Sequence, residues 1–420
     1  MAKFIIEGQQ KLSGSINISG AKNNALKIFS ATLLTDEDCV INNVPDIEDV
    51  KNTISLMEKL GSKITKISDR SYLINNKNVN NYELDNLLSR RLRTSILMIG
   101  PILSRFGKAI MYHPGGCVIG KRPIDYFIDS FQTLGVKIKF KPHKYDFTLP
   151  NKKFTGCQYV FKQISHTATE SILLSAVLAK GQTTIINAAL EPEVIALAQL
   201  LNKMGAKING IGSAFIKIDG VNKLSGFTTD VIPDRIEAAS YMALAAATKS
   251  KLTINNCQPN HLAVPIKILQ QIGVNCVINK DSIKVIPNNN LDATKITTHE
   301  YPGFPTDLQA PFSVLLTQAK GMSMIHETIY EGRLFYTDIL NKMNADIVLC
   351  DPHRAIINGP SQLTGKSIQS PDIRAGMALI IAALVAKGKT EIDHIELIDR
   401  GYERIEEKLT IIGAKIKRID

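Results

Sequence analysis

One short pattern recurs six times along the chain. It reads Leu60-Gly-Ser-Lys-Ile, Leu134-Gly-Val-Lys-Ile, Met204-Gly-Ala-Lys-Ile, Ile272-Gly-Val-Asn-Cys, Met343-Asn-Ala-Asp-Ile and Ile412-Gly-Ala-Lys-Ile, at intervals of 68 to 74 residues. A fixed period of this kind marks a duplicated supersecondary unit. In each copy an apolar-periodic helix ends at the apolar residue. Gly, or Asn once, then supplies a left-handed cap, and a strand starts at once. A second β-rich marker lies upstream in every copy, as in Cys39-Val-Ile-Asn, Thr183-Thr-Ile-Ile-Asn and Leu252-Thr-Ile-Asn. Another helix precedes each marker. These helices are apolar almost all round, as in Ser240-Tyr-Met-Ala-Leu-Ala-Ala-Ala and Ala378-Leu-Ile-Ile-Ala-Ala-Leu-Val, and a helix of that kind is buried. The pattern predicts an α/β chain with helices inside and sheets outside, in two groups of three units.

Composition supports a large folded chain. The 420 residues are 44% hydrophobic and carry a net charge of +11. That balance favours anionic partners. The basic residues are spread along the chain without a block of like charge, which argues against a nucleic-acid tail or a membrane patch. The six cysteines, Cys39, Cys117, Cys157, Cys257, Cys276 and Cys350, form neither a C-x-x-C pair nor a disulfide framework. The N-terminus lacks the apolar stretch of a signal peptide. The longest apolar run, Ala375 to Ala386, is too short to span a bilayer. These features predict a cytoplasmic protein with no membrane insertion. Zinc-type Cys/His spacing is absent, and no metal or other cofactor is expected.

Polar residues gather where the buried helices start: Ser19-Gly-Ala-Lys22-Asn23, Arg93-Thr-Ser95, Ser165-His-Thr167, Pro233-Asp-Arg235, Pro305-Thr-Asp307 and Pro371-Asp372-Ile-Arg374. Helix N-termini present unpaired N–H groups and a partial positive charge, so they attract anions. The same residues have plainer readings. Asp234, Asp307 and Asp372 fit as N-caps, and Asp234 with Glu237 fits a capping box. Arg333, Arg374 and Arg400 fit as surface arginines. Cys117 sits in Pro114-Gly-Gly-Cys-Val-Ile-Gly-Lys-Arg122, a glycine-rich stretch in which Lys121 and Arg122 would favour a thiolate.

Taken together, the chain resembles the UDP-N-acetylglucosamine 1-carboxyvinyltransferases, the enolpyruvyl transferases of peptidoglycan synthesis. The resemblance is carried by Gly20-Ala-Lys-Asn-Asn24, Pro114 to Asp125, Pro233-Asp-Arg-Ile-Glu237, Phe304-Pro-Thr-Asp307, Glu331-Gly-Arg333, Asp372-Ile-Arg374 and Asp399-Arg-Gly-Tyr-Glu-Arg-Ile405. It implies two inside-out α/β barrel domains of three repeats each, with ligands between them. Residues 1–21 and 233–420 would form one domain, and 22–232 the other, carrying the Cys117 loop. The implied reaction moves the enolpyruvyl group of phosphoenolpyruvate to the 3-hydroxyl of UDP-N-acetylglucosamine. It proceeds by addition and elimination through a tetrahedral ketal.

By the same resemblance Cys117 is the general acid, and the thiol that the epoxide fosfomycin alkylates. Asp307 is the candidate base. Lys22, Arg122 and Arg400 clamp phosphate and carboxylate, with Arg333 and Arg374 nearby. Asn23, Arg93, Asp307 and Ile329 match positions that hold the nucleotide sugar. Arg122, Pro123, Ile124, Asp125 and Tyr126 match the stretch packed on uracil and its diphosphate, and Ser165 matches a further contact. The chain departs from the family at Gln163-Ile-Ser165-His166-Thr167-Ala168, where a diphosphate-contacting glycine is replaced. It departs again at Phe127, where many members have His, and at Gly332. Three rival readings are the sister enzyme that makes 5-enolpyruvylshikimate 3-phosphate, a catalytically weak paralogue, and a basic repeat protein that binds RNA. The sister enzyme lacks the cysteine loop. The RNA reading is opposed by a chain without Trp and with 6% aromatic residues.

Overall fold

A helix with apolar residues on every side is stable only when protein surrounds it. In the computed structural model, which describes residues 2–115 and 123–419, six helices follow that rule. They are α1 (Lys22–Thr32), α2 (Ile99–Phe106), α3 (His166–Ala176), α4 (Arg235–Ala247), α5 (Gln309–Leu316) and α6 (Ile373–Val385). Every residue of α4 and α5 is buried, and α6 is buried up to Leu384. The described residues fall into two compact units, one of 2–19 and 233–419, the other of 20–115 and 123–232.

In the first unit α4, α5 and α6 pack against one another. Three four-stranded sheets accompany them. One runs Ser367–Gln369, Lys389–Asp393, Lys3–Glu7, Lys415–Ile419, and a second runs Asn275–Ile278, Ser282–Ile286, Lys251–Asn255, Ser13–Asn17. The third runs Lys295–Thr297, Gly321–His326, Arg354–Gly359, Asp346–Asp351. The N-terminal segment thus lends a strand to two of them. Strand period two puts Phe4 and Ile6 on the inner face, and both are fully buried. Each sheet has one parallel pair and two antiparallel pairs, the parallel pairs being Ser367–Gln369 with Lys389–Asp393, Ser13–Asn17 with Lys251–Asn255, and Lys295–Thr297 with Gly321–His326.

The second unit repeats the scheme around α1, α2 and α3. Two of its sheets have four strands and the third has three, Lys108–Tyr112, Lys144–Thr148 and Lys137–Lys141. Where the missing strand would pair, Glu83 makes a single parallel bridge to Ile110.

The recurring pattern does what its chemistry dictates. Gly61, Gly135, Gly205, Gly273 and Gly413 have φ of 106°, 92°, 105°, 94° and 98°, and Asn344 has 75°. Each lies just past an amphipathic outer helix and turns the chain into the next strand. Two buried helices begin differently from the rest. Residues Arg93–Met98 and Thr306–Leu308 form 3-10 turns before α2 and α5. Pro101 and Pro311, the third residues of those helices, explain this. A proline cannot donate the i to i−4 bond and its ring crowds that carbonyl, so the preceding turn tightens. Among the described residues no helix is long and apolar enough to cross a membrane.

Candidate active site

In the first unit the polar helix starts assemble around one carboxylate. Asp234 and Asp372 are N-caps. Asp234 Oδ1 accepts from the N–H groups of Ile236 at 2.8 Å and Glu237 at 3.0 Å, and Asp372 Oδ1 from those of Arg374 at 2.7 Å and Ala375 at 3.0 Å. Asp307 is not a cap. Its Oδ1 accepts from Arg333 Nη2 at 3.0 Å and from Arg374 Nε at 3.0 Å. The two arginine side chains are 6% and 7% exposed, and Asp307 is 32% exposed. Burial alone would raise the Asp307 pKa. The guanidiniums of Arg333 and then Arg374 outweigh it and hold the carboxyl well below the usual carboxylate range.

Arg374 lies over the Tyr402 ring, 5.3 Å from its centroid. Its Nη1 is buried and has no hydrogen-bond partner. A buried donor left unmade is costly, and this one sits beside an ionised carboxylate, as a group kept ready for an anion would. Arg333 Nη1 donates to Thr306 Oγ1 at 3.0 Å, and Thr306 donates to the buried carboxylate of Glu327 at 2.7 Å. Ile329 presents its N–H to Glu327 Oε1 at 2.8 Å. Arg400 belongs to the same unit, half-buried at the end of the short helix Glu396–Asp399.

The second unit holds Lys22, Asn23, Arg93, Pro123, Ile124, Asp125, Tyr126 and Ser165. Lys22 opens α1, and its Nζ lies 2.6 Å from Asp49 Oδ2, with the two side chains 12% and 5% exposed. Asn23 is half-buried beside it. Arg93 Nη2 donates to the Pro123 carbonyl at 2.9 Å, which fixes the start of the segment that contains Ile124, Asp125 and Tyr126. Ile124 is buried as the residue before the helix Asp125–Thr133, Asp125 is exposed, and the Tyr126 ring meets Phe161 edge-on at 5.7 Å. Ser165 caps α3, its Oγ accepting from Ala168 N at 3.4 Å. The altered 163–168 segment therefore still builds a helix start. Phe127, where the family resemblance suggested His, is a core residue at 4% exposure.

Cys117, Lys121 and Arg122 lie outside the described residues. Of the other cysteines, burial pushes the thiols of Cys39 up to about 12 and of Cys257 and Cys276 up to about 11, and it raises Cys157 as well. Cys350 is exposed. Among the described residues no group of three or more His, Cys, Asp or Glu side chains could hold a metal ion.

Motif reading passed over Asp49 and Glu327, and it gave Thr306 and Tyr402, which lie inside its motifs, no role of their own. For Asp307 a signal did exist. Asp234 and Asp372 directly follow a proline, whereas Asp307 follows Pro305 by two. That extra residue carries it past the capping position, and Pro305 takes the N-cap place instead.

The sequence profile of EPSP synthase (3-phosphoshikimate 1-carboxyvinyltransferase) matches residues 6–409. The chain belongs to this family. It is 41% identical over 419 residues to the UDP-N-acetylglucosamine 1-carboxyvinyltransferase of Desulfosudis oleivorans, with 100% of each chain covered. It is 43% identical over 421 residues to the UDP-N-acetylglucosamine 1-carboxyvinyltransferase 2 of Carboxydothermus hydrogenoformans, again with 100% of each covered. Among solved structures, the enolpyruvyl transferase NikO from Streptomyces tendae superposes with a TM-score of 0.90 at 22% identity, covering 99% of this chain and 98% of the other. The EPSP synthase of Acinetobacter baumannii gives 0.76 at 18% identity, with 100% of both covered. These two likenesses are of fold.

Proposed function

We propose that the chain transfers the enolpyruvyl group of phosphoenolpyruvate to the 3-hydroxyl of UDP-N-acetylglucosamine with release of phosphate, the first committed step of peptidoglycan synthesis. The observation that carries this reading is identity of 41 to 43% over the full length of relatives bearing that activity in their names. The units described above are read as two inside-out α/β barrels, and the reaction as cytoplasmic.

The chemistry asks for four things. The sugar hydroxyl oxygen bonds to C2 of the enol, losing its proton. C3 gains a proton, which gives a tetrahedral ketal. C3 then loses a proton as the C2–O bond to phosphate breaks. Anionic charge must be held throughout, often the largest catalytic contribution. We assign the C3 proton to Cys117 and the anion clamp to Lys22, Arg122 and Arg400, with Arg333 and Arg374 close by. Asn23, Arg93, Pro123, Ile124, Asp125, Tyr126, Ser165 and Ile329 are assigned to the nucleotide sugar. Asp307 receives the hydroxyl proton. Two guanidiniums on one oxygen make it a weak base, so it orients the hydroxyl first. It takes the proton late, once attack on C2 has made the hydroxyl acidic. The unpartnered Nη1 of Arg374 supports an anion arriving next to this carboxylate.

The test is phosphate release with phosphoenolpyruvate and either UDP-N-acetylglucosamine or shikimate 3-phosphate, with the product mass measured. Release with the nucleotide sugar and a product heavier by the enolpyruvyl group is expected. Release with shikimate 3-phosphate alone would overturn the assignment in favour of the sister reaction.

A further inference from the structure

Glu327 is fully buried and directly follows the strand Gly321–His326. Its backbone is pinned from one side. The N–H donates to the His353 carbonyl at 2.7 Å, and its own carbonyl faces His353 Nδ1 at 2.8 Å. Its carboxylate meets four donors. Oε1 accepts from Thr298 Oγ1 at 3.1 Å, Ile329 N at 2.8 Å and Tyr330 N at 3.1 Å, and Oε2 accepts from Thr306 Oγ1 at 2.7 Å.

Taking a carboxylate out of water is expensive, and an uncharged side chain of the same shape would fill the space. What the carboxylate adds is direction. An ionised carboxylate only accepts, whereas a hydroxyl has one proton to give. Thr306 gives that proton to Glu327, so its oxygen is left to accept from Arg333 Nη1 at 3.0 Å. The other terminal nitrogen of Arg333 then falls on Asp307. The chain of donation runs one way, from Arg333 to Thr306 to Glu327.

We propose that Glu327 is a positioning residue of the active site, which sets the direction of the Thr306 hydroxyl and thereby holds the Arg333 guanidinium on Asp307. It also fixes the backbone of Ile329 and Tyr330. The functional part of this inference rests on the proposed role of Asp307 and Arg333 in enolpyruvyl transfer.

Glu327→Gln tests it with little change of shape. The amide oxygen must stay where three donors converge, so the amide nitrogen faces Thr306. The Thr306 oxygen would then be asked to accept from both the introduced amide and Arg333, and its proton would lose its acceptor. Arg333 should slip from Asp307. Turnover should fall on the order of 10- to 100-fold, as misplacement of a site by up to about 1 Å does, while the KM for phosphoenolpyruvate changes much less. Thr306→Val, which keeps the buried carboxylate but removes the donor to its Oε2, should cost about the same, and Thr306→Ser should restore most of the turnover. In the Thr306→Val/Glu327→Gln double variant the losses should not multiply. Normal turnover in Thr306→Val, or losses that multiply in the double variant, would overturn the relay. Crystal structures of the two single variants supply a readout independent of activity. Arg333 Nη2 should move away from Asp307 Oδ1, and an unmoved pair would refute the positioning role. Should the wild-type protein release no phosphate while Arg333 still moves, the functional reading fails and the positioning role stands.

Discussion

Replacing Asp307 by Asn separates a capping residue from one held in an ion cluster. As a cap, Asn serves about as well as Asp, so neither stability nor turnover would change. The structure instead places two guanidiniums, 6% and 7% exposed, at 3.0 Å from one oxygen of Asp307. A hydrogen bond to a charged group contributes about 1.5 to 3 kcal/mol and a neutral one about 0.5 to 1.5. Losing the charge therefore costs roughly 1 kcal/mol per contact, and mutual repulsion of the arginines adds to it, for about 2 to 3 kcal/mol in all. For a unit of this size that is a fall in melting temperature of roughly 4 to 12 °C. The deficit should be flat from neutral pH down to the ordinary carboxylate range. A folded pKa held below its unfolded value gives stability that is present above the unfolded pKa and is lost only as pH falls through the folded one. Turnover should drop by about 10²- to 10⁴-fold, the usual share of a positioned proton acceptor. Differential scanning calorimetry at several pH values, beside the phosphate-release assay, measures both. An unchanged melting temperature with near-normal turnover would refute the ion-cluster reading.

Two further perturbations follow from the same geometry and sequence. Lys27 Nζ lies 3.5 Å from Glu170 Oε2, the side chains are 1% and 0% exposed, and neither Glu170 oxygen makes a hydrogen bond. Burial pushes the Glu170 carboxyl up to about 8, with Lys27 opposing and Glu193 and Glu191 adding to the rise. Native protein then keeps a proton that the unfolded chain has lost, so stability should fall as pH climbs toward 8. Lys27→Met/Glu170→Leu should flatten that slope relative to wild type and raise stability by about 1 to 4 kcal/mol, because apolar side chains of similar volume replace a buried ammonium and a buried carboxyl that lacks hydrogen bonds. Parallel melting curves against pH would count against it. Fosfomycin should form one adduct, on the peptide containing Cys117, because burial keeps the thiols of Cys39, Cys257 and Cys276 protonated. Cys117→Asp should resist the drug and keep turnover, and an adduct confined to Cys350 would overturn the reading of the loop.

Local chemistry was legible in the sequence wherever one residue type can do the job. The six Gly and Asn positions could be read because few other residues accept positive φ. The buried helices could be read because an apolar surface all round has one physical outcome. Asp234 was readable as a cap, but the capping box read from Asp234 and Glu237 does not form. The N–H of Asp234 donates to the Ser19 carbonyl, so Glu237 does not turn back to it. It accepts instead from Ser19 N at 2.8 Å and pairs with Lys408 Nζ at 2.5 Å. Both partners are remote in sequence, and no local spacing announces them. Lys27 and Glu170 escaped for the same reason. Each looks like an ordinary helix surface residue until α1 and α3 are packed.

The repeat also explains why chemistry collects where it does, and why one copy differs from another. A helix buried on every side offers reactive groups only at its ends, and the N-terminal end carries partial positive charge. An arginine there is disfavoured unless something offsets that charge. In α4 and α6 an Asp cap does so, and an aromatic face receives the cation: Arg235 lies 5.4 Å from the Tyr301 centroid and Arg374 5.3 Å from that of Tyr402. The start of α5 lacks the cap, because Thr306 separates Pro305 from Asp307. Its carboxylate is therefore free to leave the helix axis and take up two guanidiniums. One inserted residue thus turns a structural cap into the centre of an ion cluster. The capped starts of α4 and α6 each carry an arginine, and the uncapped start of α5 carries the carboxylate that Arg374 and Arg333 hold.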